Sequence, residues 1–325
     1  MGEHAEVTSL LARSRCLVVG GAGFIGSHLV ECLLEIGAGV TVFDNLSVGK
    51  REFLSRAFEL GAELVEADAL DLEALTRAMA KHDFVFHLSA NPEARWGLDN
   101  PRLDLEQGTI CTWNVLEAMR RTATKQLIFA SSGTVYGDTA ESCAETDLGS
   151  LPISLYGASK FACEGLVSAF VECFGLSAWI YRFGNVVGPR GTHGAALDFL
   201  NKLKKNPEEL EVLGDGRQSK PYVHVNDCVA GVLFGVEHAR ERLNVYNIAP
   251  LDFTSVQRIA ELCVAASPNS NARIRYTGGV RGWPGDIPHS RLNPEKMAAL
   301  GFRVSHSSDQ AVSAAVSALA REVFG

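Results

Sequence analysis

No apolar run in the 325-residue sequence reaches membrane-spanning length, so no spanning helix is expected. Positive charge is not in excess: 30 Lys and Arg stand against 38 Asp and Glu, a formal net charge of −8 at pH 7. That balance argues against broad binding to nucleic acid or to anionic membranes, while a single arginine or a helix end can still receive a small anion. The eight cysteines (16, 32, 111, 143, 163, 173, 228 and 263) include no Cys-x-x-Cys pair and no Cys/His cluster at ligand spacing. They are expected to be reduced, mostly buried thiols, and no metal is expected. The first fifteen residues carry Glu3, His4, Glu6, Arg13 and Arg15 but no long apolar core, so no secretory signal is expected. Residues 1–14 read as a loose extension of a cytoplasmic protein. Internal repeats and low-complexity tracts are also lacking.

What is present is organised around Cys16-Leu17-Val18-Val19-Gly20-Gly21-Ala22-Gly23-Phe24-Ile25-Gly26. A run of β-formers meets a glycine cluster, after which Phe24, Ile25, Leu29, Val30, Leu33 and Leu34 recur at helical spacing. Strand, tight turn and helix in that order bring bare backbone N–H groups to the positive helix end, where a pyrophosphate can approach. A second strand, Val40–Phe43, ends in Asp44 a little over twenty residues on, the place of an acceptor for a ribose 2′-hydroxyl. A carboxylate there would repel a 2′-phosphate, and no Lys or Arg follows until Lys50, so NAD is favoured over NADP.

Further strands are expected at 62–66, 84–88, 126–130 and 178–183. They alternate with helices at 51–60, 72–81 (capped by Asp71), 101–121 and 156–174. This rhythm implies right-handed crossovers and an α/β fold with a doubly wound, Rossmann-like parallel sheet, whose edge would carry Gly20, Asp44, Asp68 and Ser89. Residues 15–185 would form the dinucleotide-binding domain. Residues 186–325, with weaker alternation and Gly/Pro-rich loops, would form a substrate-binding region, and Val245–Ile248 is a candidate strand returning to the main sheet. Tyr156 and Lys160, four residues apart on one helix face, pair a phenol with an ammonium that favours its ionised form. Together they supply a base for a hydroxyl proton while hydride leaves the adjacent carbon.

With these residues in view, the sequence resembles the extended short-chain dehydrogenases/reductases, and among them the nucleotide-sugar epimerases and dehydratases, UDP-glucose 4-epimerases above all. The resemblance covers nearly the whole chain after residue 14. It rests on the glycine turn, Asp44-Asn-Leu-Ser, Ser131-Ser132-Gly-Thr134-Val-Tyr136-Gly, Tyr156-x-x-x-Lys160, Arg182-Phe-Gly-Asn185-Val-Val-Gly-Pro-Arg190 and Gly214-Asp-Gly-x-Gln218. It implies that Ser132 hydrogen-bonds the reacting oxygen, Tyr156 is the base, and Lys160 holds the ribose. It implies NAD contacts at Gly20, Gly23, Phe24, Ile25, Gly26, Asp44, Asn45 and Ser47, at Asp68 and Ala69 on adenine, and at Leu88, Ser89 and Ala90. Substrate contacts are implied at Ser132, Thr134, Asn185, Arg190, Leu213, Lys220, Arg281 and Ser290. A homodimer through the helices at 101–121 and 156–174 is also implied.

Departures from the family pattern shape the expected chemistry. The acidic residue that dehydratases and decarboxylases commonly carry before Val-Tyr-Gly is Gly133-Thr134 here, which favours simple epimerisation over elimination. Lys220-Pro221 stands where relatives usually show Arg-Asp, so a phosphate meets a point charge in place of a bidentate fork. Gln107 replaces a common Asn, and Pro92 a substrate-facing Lys. The expected reaction is inversion at C4 of a UDP-hexose through a 4-keto intermediate. A UDP-glucuronate epimerase or decarboxylase, with Arg190 and His193 as carboxylate partners, is the enzymatic rival, and a non-catalytic NAD-binding regulator is the alternative outside enzymes. Ser290 matches the position of a gate beside the sugar's C2 substituent, where a small residue leaves room for N-acetyl.

Overall fold

The computed structural model describes residues 10–139, 141–147 and 150–325. The first nine residues of the expected extension, and three positions of the polar loop before Ser154, lie outside the described residues. Among the described residues no helix is long and apolar enough to cross a membrane.

Seven parallel strands form the central sheet: β1 (Arg15–Val19), β2 (Gly39–Asp44), β3 (Glu63–Glu66), β4 (Phe84–His87), β5 (Gln126–Ser132), β6 (Ser177–Phe183) and β7 (Leu243–Ile248). They lie in the order β7-β6-β5-β4-β1-β2-β3, so strand order reverses between β1 and β4. In open α/β sheets such a switch point opens a crevice at the carboxyl ends of the strands. β7 pairs with β6 along its whole length, from Leu243 opposite Ala178 to Ile248 opposite Phe183.

Both faces of the sheet are covered, which is why its inner strands β1, β4 and β5 are largely apolar and buried. Cys16 and Val18 face one side, packed with Leu29, Val30 and Leu33 of α1 (Phe24–Glu35). Leu17 and Val19 face the other, with Leu75 of α2 (Leu72–Met79), Leu116 of α3 (Cys111–Thr122) and Val167 of α4 (Leu155–Phe174). Each such side chain, fully buried, contributes about 1.5–3 kcal/mol relative to exposure. Local signals end these helices, and the Asp71 cap is as expected. Asp71 accepts from the Glu73 and Ala74 N–H groups, Ser154 accepts from Gly157 N–H at 3.1 Å, and Gly175 closes α4 at φ +66°. A separate apolar core, including Phe199, Leu200, Ile259, Val312 and Leu319, joins α5 (Ala195–Lys205), α7 (Val256–Ala266) and α8 (Ser308–Phe324). Between α5 and α7, α6 (Val225–His238) returns to the main sheet, packing Val229 and Val232 with Tyr181 of β6.

Two expectations change. The loose extension ends before residue 14: Leu11 is wholly buried, Arg13 N–H bonds the Gly37 carbonyl, and Leu10 and Leu11 donate to the Glu237 carboxylate. The single helix expected over 101–121 contains a π-helical turn, Leu105–Ile110, ahead of α3. There Gly108 meets α4 so closely that a Cβ would sit 1.9 Å from Ser159 Oγ. The Ser159 hydroxyl donates to the Asp104 carbonyl at 2.8 Å and joins the two segments.

Candidate active site

β1 runs into the glycine turn at the switch point. Gly20 has φ +82°, and a Cβ on it would stand 2.6 Å from the Ser89 nitrogen beyond β4. A Cβ on Gly26 would stand 2.2 Å from the Gly20 carbonyl oxygen, so α1 starts in direct contact with the turn. Asp44, at the end of β2, ties this cradle together: its carboxylate accepts from Ala22 N–H and from Leu46 N–H, both at 2.9 Å. Burial pushes the Asp44 pKa up, and those two N–H groups oppose the rise. Beside it Asn45 donates to Asp68 at 3.0 Å. All the residues assigned above to the cofactor line this one cleft. A glycine cradle that side chains would fill, next to a carboxylate acceptor, fits a dinucleotide with an unmodified ribose. Gln107 and His193, not among those assignments, line it too.

Tyr156 and Lys160 line the cleft from the first turns of α4. Lys160 is nearly buried, donates to the Ala130 carbonyl at 2.7 Å and lies 5.8 Å from the centre of the Tyr156 ring. In the protein alone the phenol's pKa is raised, contrary to the lowering expected from the ammonium. Burial pushes Tyr156 up to about 12, opposed by the nearby Ser132 hydroxyl. Burial likewise lowers Lys160. Turning Tyr156 into a base at neutral pH therefore calls for further positive charge beside it.

A second cavity of about 350 Å³ adjoins the first and shares Tyr156, Phe24, Ile25 and His193 with it. Its walls carry Ser132, Thr134, Asn185, Leu213, Lys220 and Ser290. Two residues assigned to substrate fall outside this lining. Arg190 turns back to the half-buried Glu31 on α1, Nη2 to Oε1 2.8 Å. Arg281 is exposed, pairs with Asp138 at 2.5 Å and donates to the Asp286 carbonyl, which holds its own loop together. Lys220 meets Asp286 at 2.7 Å, so its charge is already balanced.

The sequence analysis missed Glu93 and Arg95, which face the second cavity as a bidentate pair with contacts of 2.9 and 3.0 Å. No spacing rule marks them, since they lie in the irregular segment after β4. Trp283 and Asp286 reach the same cavity from the loop that held only Arg281 and Ser290 among the assignments.

A family model described as the NAD dependent epimerase/dehydratase family matches residues 16–249. The chain belongs to this family. Within the NAD-dependent epimerase/dehydratases, a UDP-glucose 4-epimerase of Mycolicibacterium smegmatis is 34% identical over 223 residues, 66% of this chain and 71% of its own. The crystal structure of a UDP-galactose 4-epimerase superimposes with a TM-score of 0.85 at 36% identity, over 95% of this chain and 99% of that one. A UDP-glucose 4-epimerase of Thermotoga maritima, solved with UDP-glucose, gives 0.85 at 31% identity, over 96% and 100%. NAD is the family's cofactor, and in this member Gly20, Gly26 and Asp44 are the residues that would hold its pyrophosphate and ribose.

Proposed function

We propose that the protein interconverts the C4 epimers of a UDP-hexose. The observation that carries this reading is the place of Ser132 and Tyr156, which line the second cavity together where the cofactor cleft, also lined by Tyr156, opens into it. Tyr156 takes the C4 hydroxyl proton and later returns it, while Ser132 hydrogen-bonds the reacting oxygen. Lys160, fixed on the Ala130 carbonyl beside the Tyr156 ring, holds the ribose. Bound NAD would accept the C4 hydride and give it back. The 4-keto sugar must present its other face before that return, and the roomy second cavity leaves it space to turn about its phosphate linkage. Lys220 is the cation that meets the diphosphate, exchanging Asp286 for it.

Elimination is disfavoured by packing as well as by residue type. A Cβ on Gly133 would stand 2.7 Å from Leu292 Cδ1, so an acid there would have to displace the tip of that side chain, and Thr134 supplies no carboxylate at the next position. The UDP-glucuronate rival loses an expected carboxylate partner, since Arg190 is paired with Glu31. Incubation with UDP-glucose, UDP-GlcNAc and UDP-glucuronate, followed by NMR, is expected to show C4 inversion of a neutral sugar. A pentose product with released CO₂ would overturn the reading, and no turnover of any of the three would favour the regulator.

Ser290 lines the second cavity, and its N–H bonds the Ser219 carbonyl at 3.3 Å, which supports its assignment as the C2 gate. Ser290→Tyr is then expected to cut kcat/KM for UDP-GlcNAc at least about tenfold more than that for UDP-glucose. Equal losses on both would remove Ser290 from this role.

The same reading places the enzyme in the cytoplasm, in keeping with eight unpaired cysteines, and pairs it as a homodimer. Leu105, Ile110 and Trp113, each more than 40% exposed around the π-helical turn, are apolar candidates for that contact. Leu116, on the same helix, is fully buried in the protein's own core and takes no part. Light scattering at micromolar concentration should return twice the 35.0 kDa chain mass, and a monomer would reject the dimer.

A further inference from the structure

One buried ion pair has no part in the chemistry above. Glu164 follows Lys160 by four residues and Tyr156 by eight, so the three share one face of α4. Its carboxylate is 8% exposed and is gripped by Arg182 of β6, itself 4% exposed, through Nη2–Oε2 at 2.7 Å and Nε–Oε1 at 3.0 Å. The same Oε1 accepts the Ser131 hydroxyl at 2.5 Å. On its other side Arg182 Nη1 donates to the Tyr136 hydroxyl at 2.8 Å and to the Glu145 carbonyl at 2.9 Å. The Tyr136 hydroxyl in turn donates to Asn247 Oδ1 of β7 at 2.8 Å. The network thus holds both ends of the Ser131–Tyr136 segment, and Ser132 and Thr134 lie between those ends.

Stability alone does not account for such a device, because the desolvation of two buried charges offsets most of their attraction and an apolar pair of similar volume would serve as well. We propose that Glu164 and Arg182 are positioning residues that set the Ser131–Tyr136 segment, and with it the Ser132 hydroxyl, against the Tyr156–Lys160 face of α4. The proposal rests on the reading of Tyr156 and Ser132 as the reacting pair. Lys160 is surrounded by Tyr156, Cys163, Glu164, Cys111, Asp104 and His87. Glu164, with Cys163, Cys111 and Asp104, opposes the lowering of the lysine's pKa by burial, and His87 is held neutral, its pKa pushed to about 3 by burial and by Lys160. The Glu164 carboxylate thus also helps to keep the ammonium charged.

Two variants of the NAD-loaded enzyme separate the positioning effect from the charge. Ser131→Ala removes one hydroxyl and should lower kcat about tenfold with KM within about twofold, as expected for a misplaced reacting group, and should leave the alkaline limb of the pH profile in place. Glu164→Gln should lower kcat further and move the alkaline limb to lower pH. The ¹³Cε titration of Lys160, assigned by its loss in Lys160→Met, should move the same way, since removing a nearby negative charge weakens the ammonium. Folded variants with kcat within about twofold of wild type, or a Ser131→Ala that raises KM alone, overturn the proposal, and an unmoved Lys160 titration overturns its electrostatic part. If Glu164→Gln does not fold, the kcat-against-KM split of Ser131→Ala decides by itself. Wild type inert on every UDP-sugar would defeat the functional reading, and the Lys160 titration would still be read independently of turnover.

Discussion

Tyr156→Phe is expected to lower kcat by about 10³-fold while leaving the cofactor bound, the span that a positioned acid–base group typically supplies. The substitution removes a single oxygen from the cavity wall and leaves the ring in place, so the protein should fold and retain its NAD. No neighbour can stand in for the phenol. The Lys160 ammonium is already committed to the Ala130 carbonyl at 2.7 Å, and Ser132 accepts from the Thr134 hydroxyl at 3.0 Å. Nucleotide released on denaturation, measured beside steady-state rates on UDP-glucose, checks both halves of the prediction. Turnover within a few-fold of wild type would show that the proton leaves by another route.

Gly26→Ala should have the largest effect on cofactor binding. The new methyl would meet the Gly20 carbonyl oxygen at 2.2 Å and the Gly21 Cα at 2.8 Å, both backbone atoms that cannot rotate aside. α1 must then move off the turn, and the N–H groups that receive the pyrophosphate move with it. Affinity for NAD should fall at least about 100-fold, and overpacking should cost about 1–3 kcal/mol of stability. Gly165→Ala is the control: nothing lies within 4 Å of a Cβ there, and Ala is the better helix former by roughly 0.5–1 kcal/mol. Isothermal titration of the stripped proteins with NAD distinguishes the two. A Gly26→Ala protein that purifies with a full complement of nucleotide would refute the argument from close approach.

The strands, the glycine turn and the Asp71 cap were legible because each is written in local chemistry: a period, a backbone conformation, a side chain within reach of its own helix end. The π-helical turn at Leu105–Ile110 was not, since one extra residue in a turn leaves the apolar spacing of its surroundings intact. Leu11 was read as loose because the short run Leu10-Leu11-Ala12 shows no period, yet it enters the core beside α1. The substrate cavity was legible in part. Residues fixed by strand ends, such as Ser132 and Asn185, face it, whereas long cations choose partners across the fold. Arg190 found Glu31, 159 positions away, and Arg281 found Asp138, 143 away. Glu93 and Arg95 were invisible for a different reason: they pair locally, in an irregular segment whose residues follow no period.

The outer neighbour of β6 is supplied by Leu243–Ile248, so the sheet is closed by a strand that follows much of the second apolar core in sequence. During synthesis at roughly 5–20 residues per second, the some sixty residues between Phe183 and Leu243 take about 3–12 s to emerge. Throughout that interval the nascent chain displays the unpaired N–H and C=O groups of an almost wholly buried strand, a template for any other extended segment nearby. The ribosome therefore carries this protein through a period of exposure that the finished molecule never revisits. A chain truncated between those two strands is therefore expected to associate through the open edge of β6, where the full-length chain does not.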